Sequence, residues 1–455
     1  MDPRLGRPSF GRSISVKPVV GRVCRDSPSR TSCWRLQQSV FQRNPGYQIA
    51  LSGFTQQCRG MTTHLGPDIA TAAAAIDHHT IELRRAIHQD PELGLDLPRT
   101  QKRITDALTG LGLDITLGES TTSVVADLDS GRPGPTVLLR GDMDALPLQE
   151  DFPSDFKSAN AGKMHACGHD THVAMLASAA RLLSENKDSF TGKIRFMFQP
   201  GEEGFHGAKY MIDEGVLDGV DRAFAIHVTA NSPAGKIATR AGALLASADK
   251  FEIMIQGAGG HASAPHNCTD PIPALGATIT GLHTMVGRSL DAAKSGVITV
   301  AHVRAGTTNN IIPPTAWMEG TIRSHDEDTR DTLKTNLVRV AEGTAAAHGC
   351  SCKAHIESGY PVTVNNDDQA ELVGNVTHAV LGEDAFALMA HPIMGAEDFS
   401  YVLQHVPGAM AFLGVCPQDE HHTTAAPNHS NLMRANEDAL KNGVAIYAAM
   451  AMAAG

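Results

Sequence analysis

From about Ile69 to Gln89 apolar residues recur at helical spacing, with Ile76, Ile81, Leu83 and Ile87 on or near one face. A second helix is expected over about Thr100 to Leu111, separated from the first by the breaker Asp90-Pro91-Glu92-Leu93-Gly94. Two short strands follow, Thr122 to Leu128 and Thr136 to Arg140, parted by the turn Asp129-Ser130-Gly131-Arg132-Pro133-Gly134. A helical pattern from Val173 to Leu183 leads to the apolar strand Lys193 to Pro200, and a further strand spans Arg222 to Val228. Such alternation is the mark of an α/β domain.

From about Ser247 the texture changes. Phe251 to Gln256 alternates apolar with polar, a helix is expected from Pro271 to Val286, and strands from Val297 to Val303 and Thr315 to Arg323. A helix from Glu327 to His348 and a strand from about Cys352 to Ser358 complete a β-α-β-β-α-β succession, the ferredoxin-like order. The first pattern resumes near Asp367 with a helix to about Leu381, the strand Ala409 to Gly414 and a closing helix, Asn436 to Ala453. The expected organisation is therefore a leading segment over residues 1–62, a catalytic domain in two parts (63–246 and 361–455), and an inserted α+β domain over 247–360.

A chain of 455 residues exceeds one ordinary core, which agrees with two domains. Its 42% hydrophobic and 19% charged residues describe a globular protein, and no apolar run reaches the roughly 18 residues of a membrane span. A net charge of -11 without a basic stripe in the body argues against nucleic acid as a partner. The eight cysteines are scattered and form neither a disulfide framework nor paired Cys-x-x-Cys motifs, which fits a reducing compartment and a cytoplasmic location. Met1 to Gly60 differs from the rest: nine arginines and one lysine against two acidic residues, Asp2 and Asp26. That is the composition of a mitochondrial presequence, with a matrix location as its consequence, or of an extension ahead of Met61 as initiator.

The densest chemistry lies at Met164-His165-Ala166-Cys167-Gly168-His169-Asp170-Thr171-His172, with three histidines, a cysteine and an aspartate in nine residues. Thiolate and neutral imidazole suit a borderline-soft divalent metal, and Cys167 and His169, on a turn before a helix, can aim at one point. A polar loop with chance histidines is the plain alternative. Strand ends repeat the theme. Gly141-Asp142-Met143-Asp144 follows one, Gly201-Glu202-Glu203-Gly204 another, and His227 closes a third. Open α/β sheets build sites at such places. Adjacent carboxylates allow one to bind a metal while its neighbour serves as general base, although a solvated acidic turn has the same composition. In the loop Gln418 to Met433, His429 is favoured as a last ligand over the solvated pair His421-His422.

From about Ile69 onward the chain resembles the M20 metallopeptidase family in its amidohydrolase branch. That branch holds hippurate hydrolases, N-acyl-amino-acid hydrolases and auxin-conjugate hydrolases. Six motifs carry the resemblance: Arg140–Pro147 (RGDMDALP), His165–His172 (HACGHDTH), Gln199–Gly204 (QPGEEG), Ala225–Val228 (AIHV), Gly257–His266 (GAGGHASAPH) and Met394–Tyr401 (MGAEDFSY). The resemblance implies a zinc-peptidase-like α/β catalytic domain with a central mixed sheet, plus the inserted ferredoxin-like domain as lid and homodimer interface. It implies two divalent cations, manganese or zinc with cobalt or nickel possible, held by Cys167, His169, Glu203, His227 and His429, with the Cys167 thiolate bridging. Glu202 would be the general acid/base and Asp144 would orient a metal-binding histidine. Asp142 stands where related peptidases carry a histidine ligand, as is usual in this branch. His261 would act as the lid histidine that reaches the partner subunit's site, with Asn309 and Arg323 near the substrate carboxylate. His429 is followed by Ser430-Asn431, whereas the family often has a proline there.

The expected reaction is metal-dependent hydrolysis of an N-acetyl or N-aroyl amino acid, hippurate-like, to a carboxylic acid and a free amino acid. Glu202 would move the proton from water to the leaving amine, and His261 would donate to the developing oxyanion. The alternatives are a dipeptidase or carboxypeptidase on the same centre, and a metal-free amidase with Cys167 as nucleophile. A binding protein on a retired enzyme fold would have lost Glu202 or a ligand, and all are present.

Overall fold

The computed structural model describes residues 67–454, so the expectations for residues 1–62 lie outside the described residues. The first helical pattern forms two helices, α1 (Pro67–Ala75) and α2 (Asp77–His88), because Ile76 leaves helical geometry at φ -104° and ψ 7°. Helix α3 (Pro98–Leu108) opens on a proline, whose missing N–H costs nothing in a first turn. There follow β1 (Asp114–Leu117), β2 (Val124–Asp129), β3 (Thr136–Asp142), α4 (His169–Glu185), β4 (Lys193–Gln199), α5 (Gly207–Asp213), β5 (Arg222–Thr229), β6 (Ile237–Thr239) and β7 (Gly242–Leu245). The next stretch holds β8 (Asp249–Gln256), β9 (Gly260–His261), α6 (Pro271–Ser289), β10 (Gly296–Ala305), β11 (Ile311–Ile312), β12 (Thr315–Ser324), α7 (Glu327–Ala347) and β13 (Ser351–Glu357). The chain then returns through β14 (Thr363–Asn365), α8 (Asp367–Leu381), β15 (Phe386–Leu388), α9 (Phe399–Leu403), β16 (Gly408–Gly414) and α10 (Leu440–Ala454).

Eight strands form one mixed sheet in the order β1-β2-β4-β3-β5-β16-β6-β15. Its middle four, β4, β3, β5 and β16, are parallel, and β2 and β6 run antiparallel against them on either side. Strands β3 and β16 are buried along nearly their whole length, which explains the apolar run of β16 and the Val137-Leu138-Leu139 run of β3. One face packs Val173, Leu176 and Leu183 of α4 and Val444 and Tyr447 of α10. The other packs Met211 of α5 and Phe399 and Val402 of α9. From β3 the chain moves to one side for β4 and then crosses over β3 to its other side for β5. That reversal opens a crevice beyond the carboxyl ends of the three strands.

A second sheet, β10-β12-β8-β13, is antiparallel throughout and backed by α6 and α7. This is the ferredoxin-like strand order. Strand β8 alternates buried with exposed residues, and Phe251, Ile253 and Ile255 pack with Leu282, Met318, Leu333 and Leu337 in a core of their own. Arg330 of α7 ties both connections to the main body. It donates to Asp249 at 2.7 Å, where the chain enters, and to the Gly359 carbonyl at 3.0 Å, where it leaves. No helix among the described residues is long and apolar enough to cross a membrane.

Candidate metal centre

Gly168 caps α4 at φ 91°, and a Cβ there would lie 2.4 Å from Val228 Cγ2, so glycine is required twice over. His169 is the first residue of α4 rather than part of a turn before it, and the helix fixes its ring. Its Nδ1–H donates to the Asp144 carbonyl oxygen at 2.9 Å. That leaves the Nε2 atom buried, with no hydrogen-bond partner. His227 repeats the arrangement: Nδ1–H donates to the Val228 carbonyl at 2.7 Å, and Nε2 faces Cys167 Sγ at 3.3 Å. A histidine held at one nitrogen by a carbonyl presents the other as a metal donor.

His429 approaches from the far side of the sequence. Its backbone takes φ 67°, uncommon for a side chain with a Cβ, and its N–H donates to the Ala166 carbonyl at 2.8 Å. Its Nε2 then lies 3.3 Å from both Cys167 Sγ and Glu203 Oε1. Of the donor groups with atoms within 4.8 Å of one another, two share Cys167, namely Cys167/His169/His227 and Cys167/Glu203/His429, and a further one, His169/Glu202/Glu203, adds Glu202 beside them. Donors converging on two points that share one sulfur, with His169 Nε2 buried and lacking a hydrogen-bond partner, fit a pair of divalent cations. Burial would raise the Cys167 pKa, but His227 and His169 outweigh it and bring the thiol down to about 6, so it is a thiolate at neutral pH. Asp142, His169 and His172 also cluster, yet His172 is spent. Its Nδ1–H donates to Asp142, and its Nε2 accepts from the Val228 N–H at 2.8 Å.

The Glu202-Glu203 pair is placed by its backbone. Both N–H groups donate to the Asp144 carboxylate at 3.0 Å, and the Glu202 carbonyl accepts from the Tyr360 hydroxyl at 2.5 Å. Burial, with Glu397 and Glu203 nearby, raises the Glu202 pKa well above the usual carboxylate range. A carboxyl group so placed can carry a proton. Beneath it lies Arg140, a charge in an otherwise apolar strand, paired with Asp142 at 2.6 Å, Glu397 at 2.8 Å and Asp398 at 2.9 Å. Burial alone would raise the Asp142 pKa, but Arg140, His169 and His172 hold it well below the ordinary range.

A cavity of about 460 Å³ opens over Cys167, Glu202, Glu203, His227 and His429, and Arg323 of β12 stands in its wall. The Arg323 guanidinium donates to the Met394 carbonyl at 3.2 Å and has no ion pair among the described residues. Burial lowers its pKa. His261 and Asn309 stand apart from this cavity within one chain. Both are exposed, and the His261 Nδ1 is taken up by Ser263 at 2.7 Å. Sequence reasoning missed Arg140, Tyr360 and Asn428. Arg140 was visible as a charge inside an apolar strand, and Asn428 as the neighbour of a candidate ligand, but nothing near Tyr360 announced its role.

Known proteins share this architecture. A thermostable carboxypeptidase 2 from Saccharolobus solfataricus is 41% identical over 381 residues, 83% of this chain and 95% of that protein. An IAA-amino acid hydrolase ILR1-like 2 from Arabidopsis thaliana is 41% identical over 376 residues, 82% of this chain and 84% of that one. Among solved structures, the Bacillus subtilis YXEP protein, described as a dinuclear metal binding peptidase, superposes with a TM-score of 0.73 at 32% identity over 83% of this chain and 98% of its own. Residues 138–453 match the Peptidase family M20/M25/M40, and the chain belongs to that family.

Proposed function

We propose that this protein is a metal-dependent amidohydrolase that cleaves N-acyl amino acids to a carboxylic acid and a free amino acid. The observation that carries the reading is the convergence of five donors, Cys167, His169, Glu203, His227 and His429, with the buried Glu202 carboxylate beside them, 3.9 Å from His169 Nε2. When bound, a pair of divalent cations supplies a polarised scissile carbonyl and a water of lowered pKa. Glu202 takes the proton of the attacking water and returns it to the leaving nitrogen. Asp144 fixes the backbone of both glutamates and, through its carbonyl, the tautomer of His169. Arg323 offers an unpaired cation in the same cavity, suited to the α-carboxylate of the amino-acid half.

His261 and Asn309 reach such a cavity, on this reading, only from a second copy, so a homodimer through residues 247–360 is part of the proposal. His261 then donates to the developing oxyanion. A thiolate, imidazole and carboxylate set accepts manganese or zinc, and also cobalt or nickel. The scattered cysteines support a cytoplasmic location, with the mitochondrial matrix as the alternative carried by the arginine-rich residues 1–60. The carboxypeptidase relative favours a second reading in which the acyl half is a peptide. Both readings share the amino acid with its free carboxylate as leaving group.

The test is release of free amino acid from hippurate, N-acetyl-amino acids and dipeptides by metal-loaded protein, EDTA-stripped protein and a Glu202→Gln variant. Hydrolysis that needs both metal and Glu202 is the expected result. Hydrolysis that survives EDTA would overturn it.

A further inference from the structure

Arg323 does not stand alone in the cavity wall. The carbonyl it holds belongs to Met394, in a loop that leaves two large apolar side chains open to the cavity, Ile393 at 41% and Met394 at 39% exposure. The loop is fastened on both sides. Ile393 N–H donates to the Leu244 carbonyl at 3.0 Å, while the Ile393 and Gly395 carbonyls accept from Ala246 N–H at 3.2 and 2.8 Å. Just past β12, His325 Nε2 sits 3.1 Å from the Ile393 carbonyl. Leu245, buried, bridges to Ile393 and completes the wall. Between Leu388 and Ala396 there is no carboxylate, lysine or arginine. Apolar side chains held in place yet left uncovered beside an unpaired cation form a preorganised surface for a group that is itself half charged and half apolar.

The chemistry of an amino acid fixes which half of the substrate meets that wall. Its side chain branches from the same carbon that carries the carboxylate, two bonds away. If the carboxylate is on Arg323, the side chain lies against whatever flanks Arg323. We propose that Leu245, Ile393 and Met394 form the specificity wall for the amino-acid half, and that the enzyme selects N-acyl amino acids with uncharged apolar side chains, of leucine, methionine or phenylalanine size, over acidic ones and glycine. This rests on the amidohydrolase reading above and goes beyond it in naming the amino acid class. An acidic side chain would give up its hydration against three apolar residues with no donor to replace the water, and glycine would leave the wall without a partner.

The experiment fixes the acyl group and varies only the amino acid. kcat/KM is measured for N-acetyl-leucine, -methionine, -phenylalanine, -glycine and -glutamate with metal-loaded wild type, Ile393→Ser and Met394→Lys. Both positions are open to solvent, so the fold should tolerate the changes. The wild type is expected to prefer leucine over glutamate by at least about tenfold, the scale on which an apolar pocket discriminates, and each variant to shrink that ratio by about tenfold. Hydrolysis with a leucine-to-glutamate ratio near one, or a ratio that neither variant moves, would overturn the wall while leaving the amidohydrolase reading standing. No hydrolysis of any N-acetyl-amino acid would overturn the amidohydrolase reading, and the wall with it.

Discussion

The side-chain amide of Asn428 donates to the carbonyl oxygen of Cys167 at 2.8 Å. It also donates to the Val228 carbonyl at 3.0 Å, and its own oxygen accepts from the Ala230 N–H at 3.0 Å. One side chain therefore joins the three segments that carry Cys167, His227 and His429. Asn428→Asp turns both donors into acceptors that face carbonyl oxygens. The expected outcome is a 10- to 100-fold weaker hold on metal, the usual cost of losing a group that orients ligands. Metal retained after dialysis, measured by elemental analysis alongside an unchanged circular dichroism spectrum, is the check. Full retention of two cations would remove Asn428 from this role.

Tyr360 acts on the other half of the site. Its hydroxyl donates to the Glu202 carbonyl and accepts from the Gly204 N–H at 2.8 Å, from the segment where the chain returns from the second sheet. Tyr360→Phe keeps the ring and removes both bonds, leaving the Gly204 N–H and the Glu202 carbonyl with each other, at 2.7 Å, and no longer tied to the returning segment. A fall in kcat of about tenfold is expected with KM unchanged, because the Glu202-Glu203 segment loses its anchor while Arg323 does not. A rise in KM together with the fall in kcat would mean that Tyr360 merely supports the fold.

What could be read in the chain was local. The period-two alternation of Phe251 to Gln256 marks β8, and Cys167, His169, Glu202, Glu203 and His227 each stand at or near the end of an apolar run. Short elements were not legible: β1, β6 and β7 hold three or four residues, too few to show a period. The break at Ile76 was hidden because it adds no glycine or proline to the pattern. Asn428 and Tyr360 act across 261 and 158 positions of sequence. Only the folded chain shows what lies opposite them. His429 is read from its residue type and from the family resemblance, and its left-handed backbone is visible only in three dimensions.

Asp90 links the breaker after α2 to pH-dependent stability. Its carboxylate accepts from Arg99 at 2.8 Å, Arg103 at 2.9 Å and Asn160 at 3.0 Å. Burial would raise its pKa, but these donors bring it down to about 2. A carboxylate with a depressed folded pKa stabilises the fold above its unfolded pKa of about 4 and loses that contribution as pH falls towards the folded value. Asp90→Asn should therefore lower the urea midpoint by a constant amount above about pH 5, and by progressively less below about pH 4. A difference that does not change with pH would assign the effect to packing.

Cys167 separates the metal reading from the thiol-nucleophile one. Its sulfur lies 3.3 Å from Nε2 of both His227 and His429, a geometry that serves a bridging ligand and an activated nucleophile alike. With a pKa near 6 it is ionised at pH 7.5, where an ordinary thiol is only about one-tenth ionised. It lies in the wall of the cavity, where a small alkylating reagent can enter. If the sulfur bridges two cations, its lone pairs are occupied. Iodoacetamide should then modify Cys167 readily in EDTA-treated protein and barely in metal-loaded protein, as read by mass spectrometry of the peptide that contains it. Half-buried Cys268 serves as an internal control whose modification should not depend on metal. A nucleophilic thiol predicts no such coupling: alkylation of Cys167 at similar rates with and without metal, and activity that survives EDTA but not iodoacetamide. Protection of Cys167 by metal, with no effect on Cys268, fits only a sulfur that holds the cations.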